Sequence, residues 1–295
     1  MRKAITIFLC VAALLTFSSC GYSDNTQERI IEMFDSFGYS PNGVFLTRDD
    51  LVIGETHYAL DQFSYQDKGC EIVFLDDPGF YSFTYDPEQL KVEFLLTDYQ
   101  TFEITHLGSS TLPSEIIHAF FYDDCFWFRT DDPENDEFGQ LYYTWNVNTQ
   151  IATVMDCDDV TVDEGYMDHE RSEDYSVSDS YFGDRIYVTC NQTNETKTIG
   201  SSVLNDFAEG RKIRNAMRTN IFTTFTYITY FERQGDFYFV FYFEVGFLGY
   251  PCCYYVVKWN FETEESSYYS SVFYETYPNS FTDFYVLNEN ENYGN

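Results

Sequence analysis

Lysine is scarce in this chain. Six lysines and ten arginines stand against 49 aspartates and glutamates, for a formal net charge of −33 over 295 residues. A deficit of that size repels nucleic-acid phosphates and leaves the bulk of the surface unsuited to lying on anionic lipid. Histidine is rarer still: His57, His106, His118 and His169 make up the full set. None falls in an H-E-x-x-H or other ligand-spaced pattern, which excludes the common zinc-hydrolase motif. No lysine closes a Gly-rich phosphate loop and no G-x-S-x-G elbow occurs, so nucleotide hydrolysis and serine-hydrolase chemistry are disfavoured. No two cysteines are spaced C-x-x-C, which argues against a zinc ribbon or a thioredoxin-like motif. Beyond residue 20 there is no apolar run of about 18 residues, the length a helix needs to span hydrocarbon.

What is present begins at the amino end, MRKAITIFLCVAALLTFSSC. Arg2 and Lys3 precede an uncharged apolar stretch, Ala4 to Phe17, followed by small residues, the layout of a secretory signal peptide. Phe17-Ser18-Ser19-Cys20 resembles the lipobox of bacterial lipoproteins, in which an apolar residue and two small ones precede an acylated cysteine. Phe17 departs from the leucine usual in that family. The resemblance covers the export signal alone. It implies that residues 1–19 are removed, that Cys20 carries the lipid, and that the chain is exported and held at a bacterial membrane or outer surface by acyl chains.

The remainder is expected to be ordered. Acidic chains without aromatics stay disordered, but this one has 27 Tyr, 30 Phe and 3 Trp. Tyr, Phe, Thr and Val favour strands, so the class reads as all-β. Six cysteines follow Cys20, namely Cys70, Cys125, Cys157, Cys190, Cys252 and Cys253. An exported location permits disulfides, and most of these thiols are expected to be paired. The adjacent Cys252 and Cys253 read as strand neighbours on opposite faces.

A short helix is expected after the anchor. Asn25 and Glu28 fit a capping box, Ile30, Met33, Phe34 and Phe37 fall on one face, and Gly38 with Pro41 ends it. From residue 43 the pattern is strand, turn, strand. Hairpins beginning at Tyr81, Leu141, Ile186 and Tyr254 align at Asp86, Asn146, Asn191 and Asn260, side chains suited to turning the backbone. Strands at Ile72–Leu75, His118–Tyr122, Tyr181–Phe182 and Thr224–Phe231 precede them. Four-stranded units of about 40–50 residues mark β-propellers, and segments such as YYTWNVNTQ and YYVVKWNFETE resemble propeller blades. The spacing is uneven, and no WD, kelch or Asp-box signature is present. The expected architecture is a propeller-like array of three- to four-stranded antiparallel units, with five or six irregular blades, over residues 43–295. Residues 20–42 form the anchor, tether and helix. A pair of β-sandwich domains is the alternative.

Candidate chemistry is sparse. Asp131, Asp132, Glu134, Asp136 and Glu137 crowd one stretch, and Asp156, Asp158, Asp159, Asp163, Glu164, Asp168 and Glu170 another. Calcium takes six to eight oxygens and could be held there, but the EF-hand pattern is missing, so solvated acidic loops are expected and no cofactor is assigned. Arg211, Lys212, Arg214 and Arg218 run against the overall charge; pairing with neighbouring carboxylates is expected, with an acidic ligand or phospholipid headgroups as alternatives. Trp127, Trp145 and Trp259 sit in expected strands and should pack in the core. Phe237 to Phe243 is apolar at almost every position, as an inner strand covered on both faces would be. No catalytic or metal-binding residue is nominated. Fold and address lead to the expectation of a non-catalytic recognition or assembly module at the bacterial envelope, binding a protein partner or glycan. A polysaccharide-active hydrolase is the alternative.

Overall fold

A computed structural model describes residues 24–133, 139–157, 174–180, 184–219, 225–245, 250–273 and 281–288. Helix α1, Asp24–Asp35, opens it. Ile30 and Phe34 are buried, and the N–H groups of Phe37 and Gly38 close the last turn on Phe34 and Asp35. Gly38 has φ +78°, the left-handed value expected of a glycine that ends a helix. The helix begins one residue ahead of Asn25, whose side chain lies outside the described residues.

The rest is a succession of antiparallel sheets. The first contains β1 (Gly43–Thr47), β2 (Asp50–Ile53) and β3 (Thr56–Ala59). A small hairpin, β4 (Ser64–Tyr65) with β5 (Lys68–Gly69), follows. The second sheet is β6 (Glu71–Leu75), β7 (Gly79–Asp86), β8 (Lys91–Asp98) and β9 (Ile104–Thr111). The third is β10 (Ile116–Tyr122), β11 (Cys125–Asp131), β12 (Gln140–Asn146) and β13 (Ala152–Asp156). The fourth has three described strands, β14 (Tyr175–Asp179), β15 (Arg185–Cys190) and β16 (Thr196–Gly200). Helix α2, Ala208–Thr219, leads to the fifth, β17 (Thr226–Arg233), β18 (Asp236–Val245), β19 (Tyr250–Asn260) and β20 (Ser266–Phe273). The last strand, β21 (Phe281–Val286), returns to the first sheet and pairs with β1, Val44 opposite Tyr285 and Phe45 opposite Phe284.

Each sheet is a meander in chain order, and the carboxy-terminal strand completes the sheet begun at the amino end. That closure ties the array into the propeller-like arrangement. Strands β17, β21, β6 and β10 touch in succession and form its inner side. Three apolar cores lie between neighbouring sheets. Phe83, Phe94 and Trp145 belong to one between the second and third sheets. Val52, Leu75, Val240 and Phe284 belong to one shared by the first, second and fifth. Val188, Phe237, Tyr255 and Trp259 belong to one between the fourth and fifth, which Phe34 of α1 and Ile213 of α2 cap. Alternation explains how one strand serves two cores. On β18, Phe237, Phe239, Phe241 and Phe243 face one and Tyr238 and Val240 the other. That strand is the second of its sheet, not the inner strand expected from its apolar run, because β17 lies inside it.

Close approach fixes Gly79, Gly108 and Gly210, the last with the Leu204 carbonyl oxygen 2.4 Å from where a Cβ would sit. A Cβ on Gly79 would sit 1.8 Å from the carbonyl oxygen of Thr97, and one on Gly108 would sit 2.6 Å from the Trp145 ring. The disulfide expectation is overturned among the described residues. Cys70, Cys125 and Cys190 carry free thiols, and no disulfide joins any two of the described cysteines. Most fall on different sheets, and the two of the third sheet lie at opposite ends of it, Cys125 facing Asn146 and Cys157 following Asp156, which faces Leu141. Among the described residues no helix is long and apolar enough to cross a membrane.

Candidate functional site

One turn recurs in four sheets and sets the geometry of the hub. At the end of β8, Asp98 Oδ1 accepts the N–H groups of Gln100 and Thr101, both at 2.8 Å, and the Thr101 hydroxyl at 3.0 Å. At the end of β12, Asn146 Oδ1 accepts Asn148 N–H at 3.1 Å, Thr149 N–H at 2.9 Å and the Thr149 hydroxyl at 3.0 Å. At the end of β19, Asn260 Oδ1 accepts Glu262 and Thr263 N–H at 3.0 Å and the Thr263 hydroxyl at 3.3 Å. The motif is Asp or Asn, two residues, then Thr, an Asx turn reinforced by the threonine. At the end of β15, Cys190 takes this place. Hydrogen bonds from the Thr193 hydroxyl and the Thr193 and Gln192 N–H groups hold its thiol below the ordinary range. The fourth residue onward, Phe102, Gln150, Asn194 or Glu264, is left-handed in every case.

This corrects the alignment expected from sequence. Asn146 and Asn260 are equivalent, but their partners are Asp98 and Cys190, not Asp86 and Asn191. Asp86 makes a related turn, accepting Glu88 and Gln89 N–H, between the second and third strands of its sheet. The similarity of the two turns obscured the register.

The residue after each cap reaches inward. Tyr99, Val147, Asn191 and Phe261 donate their N–H groups to the carbonyls of Pro78, Asp124, Asp174 and Gly235, at 3.0, 2.9, 2.8 and 3.5 Å. In the second, third and fifth sheets these acceptors lie where the innermost strand turns into the next. Asp174, immediately ahead of β14, is therefore the fourth sheet's counterpart. The inner turns converge on a cavity of ≈ 1380 Å³. Among the described residues its lining carries Asp76, Asp123, Asp124, Asp174, Glu232 and Glu262, with Arg233 as the cation. Phe74, Phe121, Tyr122, Tyr175, Phe231 and Tyr285 supply apolar walls. Phe121 stacks on Tyr81 at 4.4 Å and on Phe74 at 5.0 Å between ring centres, and Phe231 meets Tyr285 edge-on at 5.0 Å.

Several of these groups are held in place. Asp124 accepts from the Asn148 amide at 2.8 Å, Asp174 from the Gln192 amide at 2.7 Å, and Glu232 from Gly235 N–H at 3.3 Å. Arg233 is anchored to the closing strand, donating to the Val286 carbonyl, and lies 3.8 Å from Asp77. It thereby joins the fifth, first and second sheets. Burial pushes the Tyr285 phenol well above its ordinary range; Asp76 and Asp77 add to this and Arg233 opposes it. Tyr285 therefore stays neutral at any physiological pH.

The residues singled out in the sequence lie elsewhere. Asp131, Asp132 and Asp156 are described, whereas Glu134, Asp136, Glu137, Asp158, Asp159, Asp163, Glu164, Asp168, His169 and Glu170 lie outside the described residues, as do Tyr181, Phe182 and the anchor at Cys20. Among the described residues no three His, Cys, Asp or Glu side chains come together in a metal-binding group. His118, on β10, lies beside Phe120. Trp127, Trp145 and Trp259 are buried as expected. Arg211, Lys212, Arg214 and Arg218 fall on α2 and make no ion pair among the described residues, in contrast to the pairing expected of them; Arg211 donates to the Asn205 carbonyl and Lys212 lies over Phe37. The cavity residues escaped the sequence reading because they come from five separate turns. The D/N-x-x-T motif was the available signal, since the inner turn pairs with the residue that follows it.

No protein-family description matches the chain, and no curated protein matches it. Among solved structures it is similar to TolB from Acinetobacter baumannii, with 10% identity over 77% of this chain and 52% of that one, at a TM-score of 0.26. It is also similar to an exo-beta-1,3-galactanase from Phanerochaete chrysosporium, with 11% identity over 69% and 49% of the two chains and a TM-score of 0.26. An uncharacterized protein from Listeria monocytogenes, lmo1340, gives 12% identity over 81% and 85% and a TM-score of 0.30. The chain spans about half the length of TolB and of the galactanase. Scores at this level assign neither a family nor an activity.

Proposed function

We propose that the chain is a non-catalytic, lipid-anchored surface protein of a bacterial envelope, and that it recognises a protein partner through the acidic, aromatic-walled cavity at its hub. The observation that carries this reading is the lining itself. Among the described residues six carboxylates surround aromatic walls, and the arginine in the lining, Arg233, is already committed to the closing strand and Asp77. Carboxylates spread over several turns suit a segment that presents more than one cation, and aromatic rings beside them favour such cations further. Sugar cleavage requires two facing carboxyls, one with a raised pKa. Burial holds the Glu71 carboxyl up, with His118 opposing, and Glu71 does not line the cavity.

The test is co-purification. The tagged chain is expressed in a native-like host, cross-linked, solubilised and compared with Asp123→Asn/Asp124→Asn/Asp174→Asn. Exposed charge pairs contribute up to about 1 kcal/mol each, so the triple variant should recover about tenfold less partner, and wild-type recovery should fall at high salt. Undiminished recovery by the variant would defeat the reading. A glycan eluting in place of a protein would redirect it to sugar binding.

A further inference from the structure

Helix α2 carries a second surface of opposite character. Arg211, Arg214 and Arg218 are spaced i, i+3, i+7 and form one stripe, while Gly210 and Ile213 turn into the core. Lys212 lies on the other flank, 5.1 Å above the Phe37 ring. Arg211 and Arg218 are exposed; Arg214 is half-buried, and its Nη1 is shielded from solvent without a hydrogen-bond partner. Elsewhere the chain pairs its cations readily. Lys68 meets Asp86 at 2.9 Å, Lys258 meets Asp236 at 2.8 Å and Lys197 meets Glu264 at 3.3 Å. Among the described residues these three arginines of one stripe meet no carboxylate, which keeps them available to an external anion.

Helix α2 lies beside the amino-terminal segment, with its Lys212 above the Phe37 ring. Phe37 follows α1, and α1 begins four residues after Cys20. Four extended residues span at most ~14 Å, and a 12-residue helix about 18 Å. We propose that α2 faces the bilayer to which the chain is anchored, its arginines engaging anionic phospholipid headgroups and fixing the orientation of the body. The placement rests on the anchor reading; the charge argument does not. Acidic groups more than about 8 Å away are screened at physiological ionic strength, so the headgroups respond to the local stripe and not to the net charge.

The experiment uses the full chain carrying Cys20→Ser, so that lipidation contributes nothing. It is sedimented with vesicles of phosphatidylcholine alone or mixed with phosphatidylglycerol, at low and high salt. Arg2→Gln/Lys3→Gln is added throughout, so that the leader side chains contribute alike to both vesicles. Each arginine near an anionic surface favours binding roughly fivefold. With some offset from nearby acids, the chain should prefer mixed vesicles about tenfold, and salt should abolish the preference. Arg211→Gln/Arg214→Gln/Arg218→Gln should lose it, while the corresponding triple Lys variant, matched in thermal melting, should keep it. Equal binding to both vesicles, or an unchanged preference in the Gln variant, would overturn the proposal. So would displacement by free glycerol phosphate at constant ionic strength, which would indicate a discrete phosphate pocket. Whether Cys20 is lipidated is read separately, by fractionating wild type and Cys20→Ser with membranes.

Discussion

Replacing Cys190 with Asn should stabilise this protein. In the three equivalent turns the cap presents a carboxylate or amide oxygen to two backbone N–H groups and a threonine hydroxyl, at 2.8–3.3 Å. Cys190 offers a sulfur to the same donors, and a thiol is a weak acceptor. Hydrogen bonds of this kind contribute about 0.5–1.5 kcal/mol each, and capping exchanges typically about 1 kcal/mol. The turn is exposed, so water already satisfies part of the deficit and the lower half of that range applies. Cys190→Asn should therefore gain about 0.5–1 kcal/mol. The reverse experiment is Asn260→Ala, which removes the three turn bonds and the bond from Asn260 Nδ2 to Asp236 at 2.9 Å; it should cost about 1–2 kcal/mol. Urea unfolding followed by circular dichroism reads both. With a slope of about 3 kcal/mol per molar, the midpoints should move about 0.2–0.3 M up and 0.3–0.7 M down. If Cys190→Asn destabilises, or Asn260→Ala leaves the midpoint unchanged, the equivalence of these turns is wrong.

Two further expectations are independent of that turn. Gly79→Ala places a methyl 1.8 Å from the Thr97 carbonyl oxygen, where backbone must move, so β7 and β8 should separate locally at a cost of at least about 1–3 kcal/mol, read as a lowered unfolding midpoint. Glu93 gives a pH signature: burial works against its charged form, but hydrogen bonds from Lys91 and His106 outweigh this and hold its carboxyl below the ordinary range. A depressed folded pKa stabilises above the unfolded value of about 4.3 and is lost as pH falls through the folded value. Glu93→Gln should accordingly weaken the protein at neutral pH and flatten the decline below about pH 5, measured by urea unfolding across that range. An unchanged acid limb would show that the Lys91–Glu93–His106 cluster contributes nothing.

Much of the fold was legible because strands with aromatic and β-branched residues announce themselves one by one. Ile72–Leu75, His118–Tyr122 and Phe237–Phe243 fall within β6, β10 and β18, and the turns at Asp76, Asp123 and Gln234 fall between strands. The order of strands within a sheet was harder to read. Asp86 and Asp98 lie in the same sheet and make similar turns, and only the pairing of Tyr99 with Pro78 shows which one matches Asn146. The closing role of β21 depends on a partner more than 200 residues away, which local pattern cannot encode. The cavity was illegible for the same reason: Asp76, Asp124, Asp174, Arg233 and Tyr285 are scattered in sequence and meet only at the hub. The basic residues of α2 were visible as a cluster, but that they meet no carboxylate among the described residues is a property of packing.

The most direct test of the proposed recognition site is a photo-crosslinking comparison. A photoreactive side chain replaces Tyr122, at the rim of the cavity and 43% exposed, or Ile151, 63% exposed and outside it. Both variants are activated in intact cells. The account predicts one discrete protein adduct from position 122, lost in the Asp123→Asn/Asp124→Asn/Asp174→Asn background, and none from position 151. Adducts from 151 alone, or from both positions irrespective of the cavity charges, would contradict it.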